Sequence, residues 1–299
     1  MENKKYWIWL SRITGLGSVR KSKLLEIFKQ PEEIWNLSYE DIVNIEGFGE
    51  KITNEILDKK YRKDLEKYIE YMEKYKIDII TIHDKEYPNK LKNIYDPPVV
   101  LFTKGNKDIL NNVSIGIVGC RECSQYGINV TQKISYELAK ENITIISGMA
   151  KGIDSYAHIG CLKAEGNTVA VLGSGLDRIY PKENMKLYND ILSKGGLILS
   201  EYIIGTKPDK MNFPARNRII SGLSDGIVVV EAKEKSGTLI TVDFALEQGK
   251  DIFVVPGNIT SQNSIGTNEL IKQGAKCITS IQDIIEEYQT NLAKKIEIC

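Results

Sequence analysis

The feature that most constrains the fold of this sequence is an alternation of short apolar runs with amphipathic stretches, which begins near residue 112 and continues past residue 250. Runs of this length that are rich in Val and Ile favour strands buried on both faces. Helical connections between such strands are typical of a parallel sheet that is covered by helices on both sides. The predicted strands are 113–118, 143–147, 168–172, 197–200, 226–231 and 252–255, and the predicted helices are 127–141, 154–165, 184–194, 215–223 and 238–248.

Residues 1–78 have a different pattern, with apolar positions at helical spacing and no β-branched run before residue 79. Two turns, 13–17 and 45–49, share the form apolar, any residue, Gly, apolar, Gly, and each precedes a predicted helix, at 18–28 and at 50–57. This pattern is that of a helix-hairpin-helix, in which glycine permits positive φ and the following helix start can hold a phosphate. A plain helical hairpin that uses glycine as a C-cap is the alternative.

Residues 79–110 are predicted to form a connector between these two parts. Pro88 and the pair Pro97-Pro98 interrupt regular structure, because each proline removes a donor and restrains the residue before it. A short strand is predicted at 99–102. The sequence therefore indicates an α/β chain with a helical domain at 1–78, a connector at 79–110 that joins the core, and a parallel-sheet domain at 111–290.

The charge balance limits the kinds of partner. The 299 residues include 40 basic and 40 acidic side chains, so the net charge is zero, which excludes a uniformly basic protein that binds nucleic acid through bulk charge. A local basic cleft remains compatible with that total, and Gly205–Gly222 contains Lys207, Lys210 and two arginines against Asp209. No run approaches the ~18 apolar residues of a membrane span, and no apolar leader follows the N-terminus. A cytoplasmic protein with no membrane contact is expected.

The loops after the predicted strands carry the candidate site, because ligands of open parallel sheets bind at the carboxyl ends of the strands. Three successive loops place small residues first and a cation second, which predicts a single groove lined with phosphate-binding groups. The pattern G-x-G-x-x-G is absent, so the dinucleotide fingerprint fails. The candidate residues in these loops are Gly119, Arg121, Ser124, Ser147, Gly148, Ala150, Lys151, Gly152, Gly173, Gly175 and Lys182.

A predicted helix start completes the candidate set. Arg216 and Arg218 lie about 200° apart on a helix, so one is expected to face the groove while the other pairs with a carboxylate such as Glu231 or Glu201. The sequence leaves open which arginine does which. Phe213 either offers a face on which a base can stack or belongs to the core. The remaining candidates are Asn217, Gly237 and Thr238.

Several motifs together resemble the DNA-processing protein A (DprA/Smf) family. They are YPxxLxxIxDPP (87–98), SGxAxGID (147–154), GLDxxYPxEN (175–184), FPxRNRIISGLS (213–224), SGTLIT (236–241), VPG (255–257) and GTNxLIxxGA (266–275). The resemblance covers about residues 80–280. It implies an extended Rossmann-like domain that binds single-stranded DNA without sequence preference, and a homodimer that protects incoming strands and loads a RecA-type recombinase during natural transformation. The helical N-terminus is similar to the SAM-like or helix-hairpin-helix domain of family members.

This sequence departs from the family pattern in two respects. The first loop of the family usually reads Gly-Ser-Arg, whereas Cys120 stands at the Ser position and removes one hydroxyl donor. Many members carry a C-terminal winged helix, and none is expected in the few residues that follow 281–288.

Enzymatic roles lack the residues they need. The chain is also similar to nucleotide phosphoribohydrolases of the lysine-decarboxylase-like group, but their motif PGGxGTxxE needs a carboxylate where this chain has Thr241. Cys120 and Cys123 form a lone C-x-x-C pair without the second pair of a zinc site, and His83 and His158 form no obvious triad. We therefore expect a non-enzymatic protein without metal or cofactor, and a nucleotide-binding or nucleotide-hydrolysing enzyme is the alternative.

Overall fold

The computed structural model describes residues 4–288, which form a nine-stranded sheet with helices on both faces and a small all-helical part before it. The strand order is β1-β2-β6-β5-β4-β3-β7-β8-β9, and all neighbouring pairs from β6 to β9 are parallel. The strands are β1 Asp78–Thr81, β2 Val100–Gly105, β3 Ser114–Val118, β4 Thr144–Ser147, β5 Thr168–Leu172, β6 Leu197–Ser200, β7 Gly226–Val229, β8 Asp251–Val254 and β9 Lys276–Cys277. The predicted Rossmann-like α/β fold is confirmed.

The helical part contains six α-helices. They are α1 Lys4–Arg12, α2 Ser18–Phe28, α3 Pro31–Trp35, α4 Tyr39–Val43, α5 Glu50–Leu57 and α6 Leu65–Lys74. Both glycine turns of the sequence pattern precede helices, and Gly17 and Gly49 are the N-caps of α2 and α5. Helix α4 begins with a capping box between Ser38 and Asp41, which satisfies two free backbone donors.

Further α-helices surround the sheet. They include α7 Asn89–Lys92, α8 Gln125–Lys140, α9 Ile153–Lys163, α10 Met185–Ser193, α11 Asn212–Leu223, α12 Gly237–Glu247 and α13 Ile265–Lys272. One face of the sheet packs on α8 and α9 through Ile117, Leu138 and Ala157, and the opposite face packs on α11 and α12 through Val171, Ile220 and Val242. Both faces are therefore buried, which explains why the strands read as continuous apolar runs.

Residues 79–110, predicted as a connector, contribute two strands to the sheet. Strand β1 pairs with β2, and β2 pairs with β6, both antiparallel. The two strands extend the sheet at the edge nearest to the helical part. The sequence pattern does not reveal this because prolines and charged residues separate the strands, and neither strand has a crossover helix.

The helical part and the sheet share a hydrophobic core. One cluster of buried side chains runs from Trp9 and Leu24 of the helices to Phe102 of β2 and Leu172 of β5. The expected end of the sheet domain at residue 290 and the expected absence of a later winged helix lie outside the described residues. Among residues 4–288, no helix is long and apolar enough to cross a bilayer.

Candidate functional site

A cavity of about 640 Å3 opens at the carboxyl ends of the parallel strands, and we call it the sheet-end cavity. Its walls come from the loops after β3, β4 and β7 and from the first turns of α11 and α12. Eight of the predicted site residues line it: Gly119, Arg121, Ala150, Phe213, Arg216, Asn217, Gly237 and Thr238. The predicted convergence of strand-end loops on a single groove therefore occurs for these residues.

The loop after β3 packs tightly at its start. A Cβ on Gly119 would lie 2.6 Å from a side-chain carbon of Ile153, so only glycine fits between the loop and α9. The N–H of Cys120 donates to the carbonyl of Glu231 at 2.9 Å, so it is not free to hold a ligand. Burial raises the pKa of the Cys120 thiol and keeps it protonated at neutral pH. Arg121 follows with an exposed side chain at the cavity wall.

The loop after β4 has an unusual backbone. Met149 and Gly152 both have positive φ, at 53° and 81°. A Cβ on Gly152 would lie 2.3 Å from the carbonyl oxygen of Cys120, so this glycine lets the two loops meet. Lys151, between these two residues, is not part of the cavity lining, and its ammonium pairs with Glu183 at 2.6 Å.

Arg216 is a buried cation at the floor of the sheet-end cavity. Its side chain is only 4% exposed, and its guanidinium donates to the carbonyls of Gly148, at 2.8 Å, and Val171. Within residues 4–288 it forms no ion pair, although Asp154 lies nearby. Burial lowers the pKa of Arg216 to about 10, and Asp154 opposes this change, so the guanidinium stays charged at neutral pH. The cavity therefore presents a positive charge with no ion-paired carboxylate.

Asp154 is also buried at the wall of this cavity. Burial raises the pKa of its carboxyl, whereas Arg216 opposes the change. Asp154 does not cap α9, because Gly152 is the N-cap and no side chain there makes a capping hydrogen bond. Asp154 instead accepts a long hydrogen bond of 3.4 Å from the N–H of Ala150.

Arg218 lies on the other side of α11 from the sheet-end cavity. Its guanidinium contacts Asp96 at 2.8 Å, Glu201 at 2.9 Å and the hydroxyl of Ser18 at 3.0 Å. Burial alone would lower its pKa, but the two carboxylates raise the pKa above its ordinary value. The structure thus resolves the alternative that the sequence leaves open: Arg216 faces the cavity, and Arg218 pairs with Glu201.

Phe213 lies at the cavity wall, partly exposed, between cations and a second ring. The ring centroid is 5.6 Å from the guanidinium carbon of Arg121 and 6.0 Å from that of Arg216. Tyr180 lies 5.4 Å away and is tilted by 35°. Gly173 lies under the Phe213 ring, where a Cβ would come within 2.9 Å of it. An accessible ring flanked by guanidinium groups is suited to a planar ligand.

The other predicted residues lie outside the cavity lining. Ser124 caps α8 by accepting from the N–H of Gly127, and its hydroxyl donates to the buried Glu231. The Ser147 hydroxyl is buried and donates to the Ile117 carbonyl at 2.6 Å. The backbone of Gly175 donates to Thr206. The remaining residues outside the lining are Gly148, Lys151, Gly152, Gly173, Lys182 and Arg218.

Sequence reasoning missed several residues that line the cavity. Lys210 belongs to the basic stretch 205–222, and Tyr180 belongs to the motif 175–184, so both carried a signal. No sequence pattern singled out Lys233, because it lies in a loop with several other charged residues. In the structure it pairs with Glu122 at 3.2 Å. The charged lining then consists of Arg121, Lys210, Arg216, Lys233, Glu122 and Asp154. Four cations against two carboxylates make this a positive site on a neutral chain.

The described residues hold no cluster of three or more His, Cys, Asp or Glu side chains placed to bind a metal ion. The cavity also lacks a nucleophile that is paired with a base. Thr241 lines it where the phosphoribohydrolase motif has a carboxylate. The cations and the Phe213 ring suit binding of anionic, planar groups.

Comparisons with known proteins identify the family of this chain. A family model described as DNA recombination-mediator protein A matches residues 78–289. The DNA processing protein DprA of Streptococcus pneumoniae is 40% identical over 295 residues, which cover 97% of this chain and 100% of the relative. The DprA of Bacillus subtilis is 48% identical over 212 residues, which cover 71% of each chain.

Solved structures show the same relationship. The X-ray structure of DprA from Streptococcus pneumoniae superposes with a TM-score of 0.83 at 40% identity and covers 95% of this chain and 97% of its own. A structure of DNA processing protein A from Helicobacter pylori, described for its single-stranded DNA binding mode, has a TM-score of 0.63 at 32% identity and covers 71% of this chain and 99% of its own. This chain therefore belongs to the DNA recombination-mediator protein A (DprA/Smf) family.

Proposed function

We propose that this protein binds single-stranded DNA in the sheet-end cavity without sequence preference and performs no chemistry on it. The observation that carries the proposal is that the guanidinium groups of Arg121 and Arg216 lie 5.6 Å and 6.0 Å from the centre of the partly exposed Phe213 ring. A phosphate and a neighbouring base of one flexible strand present an anion and a planar face at this spacing. The Helicobacter pylori relative, described with a single-stranded DNA binding mode, supports the assignment.

The cations of the cavity would contact the phosphates. Arg121, Lys210 and Lys233 lie at the exposed rim, and Arg216 lies at the floor. Base stacking on Phe213 and Tyr180 tolerates any sequence, because every base has a π-face. The start of α12 also lines the cavity: the N–H of Thr238 donates to the Ser236 hydroxyl at 3.2 Å, and Gly237 would bring its backbone close to a phosphate. Lys151 and Lys182, which are exposed outside the cavity, would contact a strand that continues past it.

The wider role follows from family membership and remains part of the proposal. The bound strand would be protected from degradation and passed to a RecA-type recombinase during natural transformation in the cytoplasm, with the protein acting as a homodimer. Such a role needs binding without catalysis. The cavity agrees with this, because no nucleophilic side chain in its lining is paired with a general base. The alternative, a phosphoribohydrolase, would need a catalytic carboxylate where Thr241 stands.

A titration of fluorescent single-stranded and duplex oligonucleotides across a salt series tests the proposal. Three or four phosphate contacts predict that log affinity falls against log salt with a slope of about −2 to −3. Duplex should bind more weakly, because paired bases cannot stack on Phe213. Salt-independent binding, or equal affinity for duplex, would contradict the proposal. Incubation with nucleoside monophosphates tests the alternative, since release of free base would establish an enzyme.

A further inference from the structure

A second cavity of about 740 Å3, the interdomain cleft, lies between the helical part and the sheet. Its lining comes from the first glycine turn and the start of α2, from α1, from the start of β2, and from the segments 201–206 and 211–215. The cleft is thus built by both parts of the chain. Nothing in the proposed function of the sheet-end cavity accounts for it.

Lys21 is the central charge of the interdomain cleft. Its ammonium donates to the Ser11 carbonyl at 3.2 Å, and within residues 4–288 it forms no ion pair. Burial lowers the pKa of Lys21 to about 8, while Glu201 raises it and Arg218 lowers it. Glu201 is already paired with Arg218 at 2.9 Å, so Lys21 is left without a carboxylate of its own. An anion entering the cleft would find an unneutralised ammonium there.

The other charges of the cleft are mostly positive. Arg12 lines it and donates to the carbonyls of Tyr61, at 2.9 Å, and Lys60, at 3.3 Å, so its charge also meets no carboxylate. Lys60 lines it as well and pairs with Asp58 at 2.8 Å and with Glu55 at 3.8 Å. Within residues 4–288, Lys21 and Arg12 are therefore the cleft cations that form no ion pair, and the lining carboxylate of Glu201 is paired with Arg218.

The two cavities are separated by one helical turn. At the start of α11, Phe213 and Pro214 line the sheet-end cavity, whereas Asn212 and Ala215 line the interdomain cleft. Met211 lines the cleft and is 78% exposed on the ridge between them. Lys210, next to it, is also exposed and lines the sheet-end cavity. A flexible chain leaving one cavity can therefore enter the other across a short, basic ridge.

We propose that the interdomain cleft is a second subsite for the same single strand, in which the ammonium of Lys21 contacts a phosphodiester group after the strand has crossed the ridge at Lys210 and Met211. The inference rests on the proposed function of the sheet-end cavity. It assigns a binding role to the helical part, whose first glycine turn, 13–17, lines the cleft at four positions: Ile13, Thr14, Leu16 and Gly17. The second turn, 45–49, contributes nothing to it.

The test compares short and long oligothymidylates, of about 5 and about 15 nucleotides, which lie near the two ends of the range of about 4–16 nucleotides known for single-strand-binding OB folds. The full chain should bind the long strand more tightly and with a steeper salt dependence. Lys21→Met removes the ammonium and keeps the stem. The variant should bind the long strand about five- to tenfold more weakly. The slope of log affinity against log salt should become shallower by about 0.7, the value of one phosphate contact. Binding of the short strand should not change.

Lys23→Met is the matched control, because Lys23 lies on the same helix but is exposed and pairs with Glu46 at 3.7 Å. It should leave both strands unaffected. A second measurement uses the unaltered protein: amine acetylation followed by peptide mass spectrometry. The long strand should protect Lys21 from acetylation and the short strand should not. If Lys21→Met does not fold, this protection alone shows whether the long strand occupies the interdomain cleft.

The outcomes separate the two proposals. If Arg121→Ala weakens the short strand but Lys21→Met leaves the long strand unchanged and Lys21 is not protected, the cleft is not a subsite and the proposed function stands. If the unaltered chain binds neither strand, or if Arg121→Ala binds both strands as tightly as the unaltered chain, the proposed function itself fails and the inference fails with it.

Discussion

Arg216 and Arg218 lie two positions apart on α11 and point to opposite sides of the helix. Arg216 is held by the carbonyl of Gly148 at the floor of the sheet-end cavity, and Arg218 is held by Asp96 and Glu201 beside the helical part. One helix thus carries the cation of the candidate binding site and the anchor between the two parts of the chain. The roles of the two arginines should therefore separate by mutation.

Replacement of Arg218 should reduce stability rather than binding. Arg218→Met leaves Asp96 and Glu201 without their partner in a largely buried position, and breaking such a pair typically costs about 3–5 kcal/mol. Urea unfolding should show this loss, whereas the folded fraction should bind a short oligonucleotide with unchanged affinity. A variant of normal stability that has lost short-strand binding would show that Arg218, and not Arg216, serves the cavity.

Arg121 should contribute a direct phosphate contact. Arg121→Ala should weaken single-strand binding about tenfold, since hydrogen bonds to charged groups contribute about 1.5–3 kcal/mol, and should lower the salt slope by about 0.7. Anisotropy titrations at several salt concentrations measure both values. Lys182→Ala should have the smaller effect, because Lys182 is exposed outside the cavity lining.

Arg20→Ala is the control for the Arg121 variant, because Arg20 is exposed on α2 and lines neither cavity. The control should bind like the unaltered chain. A larger loss from Lys182→Ala than from Arg121→Ala would move the binding surface away from the sheet-end cavity.

Phe213 should contribute through its ring and not through charge. Phe213→Leu keeps an apolar side chain but removes the stacking face, and base stacking contributes about 1–3 kcal/mol. Affinity for single-stranded DNA should fall at least about fivefold while the salt slope stays the same. Phe213→Trp should retain binding. An altered slope in the Leu variant would mean that Phe213 acts by positioning Arg121 or Arg216, which lie over its ring.

The sheet could be predicted from the sequence where strands are buried on both faces. Strands β5 and β6 occupy the predicted residues, because Val, Ile and Leu fill both of their faces. Strands β1 and β9 were missed for different reasons. The sequence pattern places the boundary between the helical domain and the connector at residues 78 and 79, inside β1, and β9 has only two residues, too short to produce a periodic signal.

The candidate site could be predicted in outline only. Glycines and cations at strand ends indicated the groove, and these signals are local. The direction of each cation is set by distant contacts: Arg218 pairs with Asp96, 122 positions earlier in the chain. Lys151 pairs with Glu183, 32 positions later. Such long-range pairing does not appear in a sequence pattern.

Gly152 should be indispensable to the fold of the site. Gly152→Ala forces an L-residue into φ of 81° and brings a Cβ to 2.3 Å from the backbone oxygen of Cys120. Positive-φ strain alone costs about 1–3 kcal/mol, so urea unfolding should show a loss of at least about 2 kcal/mol. Gly237→Ala is the control, because its Cβ would meet no atom within 4 Å and its stability should change by less than about 0.5 kcal/mol. Equal stability of the two variants would contradict the described meeting of the two loops.

Lys21 should give the stability of the protein a measurable pH dependence. Its pKa is about 8 in the folded chain and 10.5 in the unfolded reference, because burial disfavours the charged form. Between these values the unfolded state binds more protons, so the free energy of unfolding gains a contribution that rises with pH, by at most roughly 3 kcal/mol.

Urea unfolding of the unaltered chain and of Lys21→Met at about pH 7 and about pH 10 isolates this contribution, because shifts of other groups cancel in the difference. The unaltered chain should gain stability relative to the variant at the higher pH, and Lys23→Met should follow the unaltered chain. Parallel pH profiles for the unaltered chain and Lys21→Met would mean that Lys21 is solvated, and the interdomain cleft would then lack its unneutralised charge.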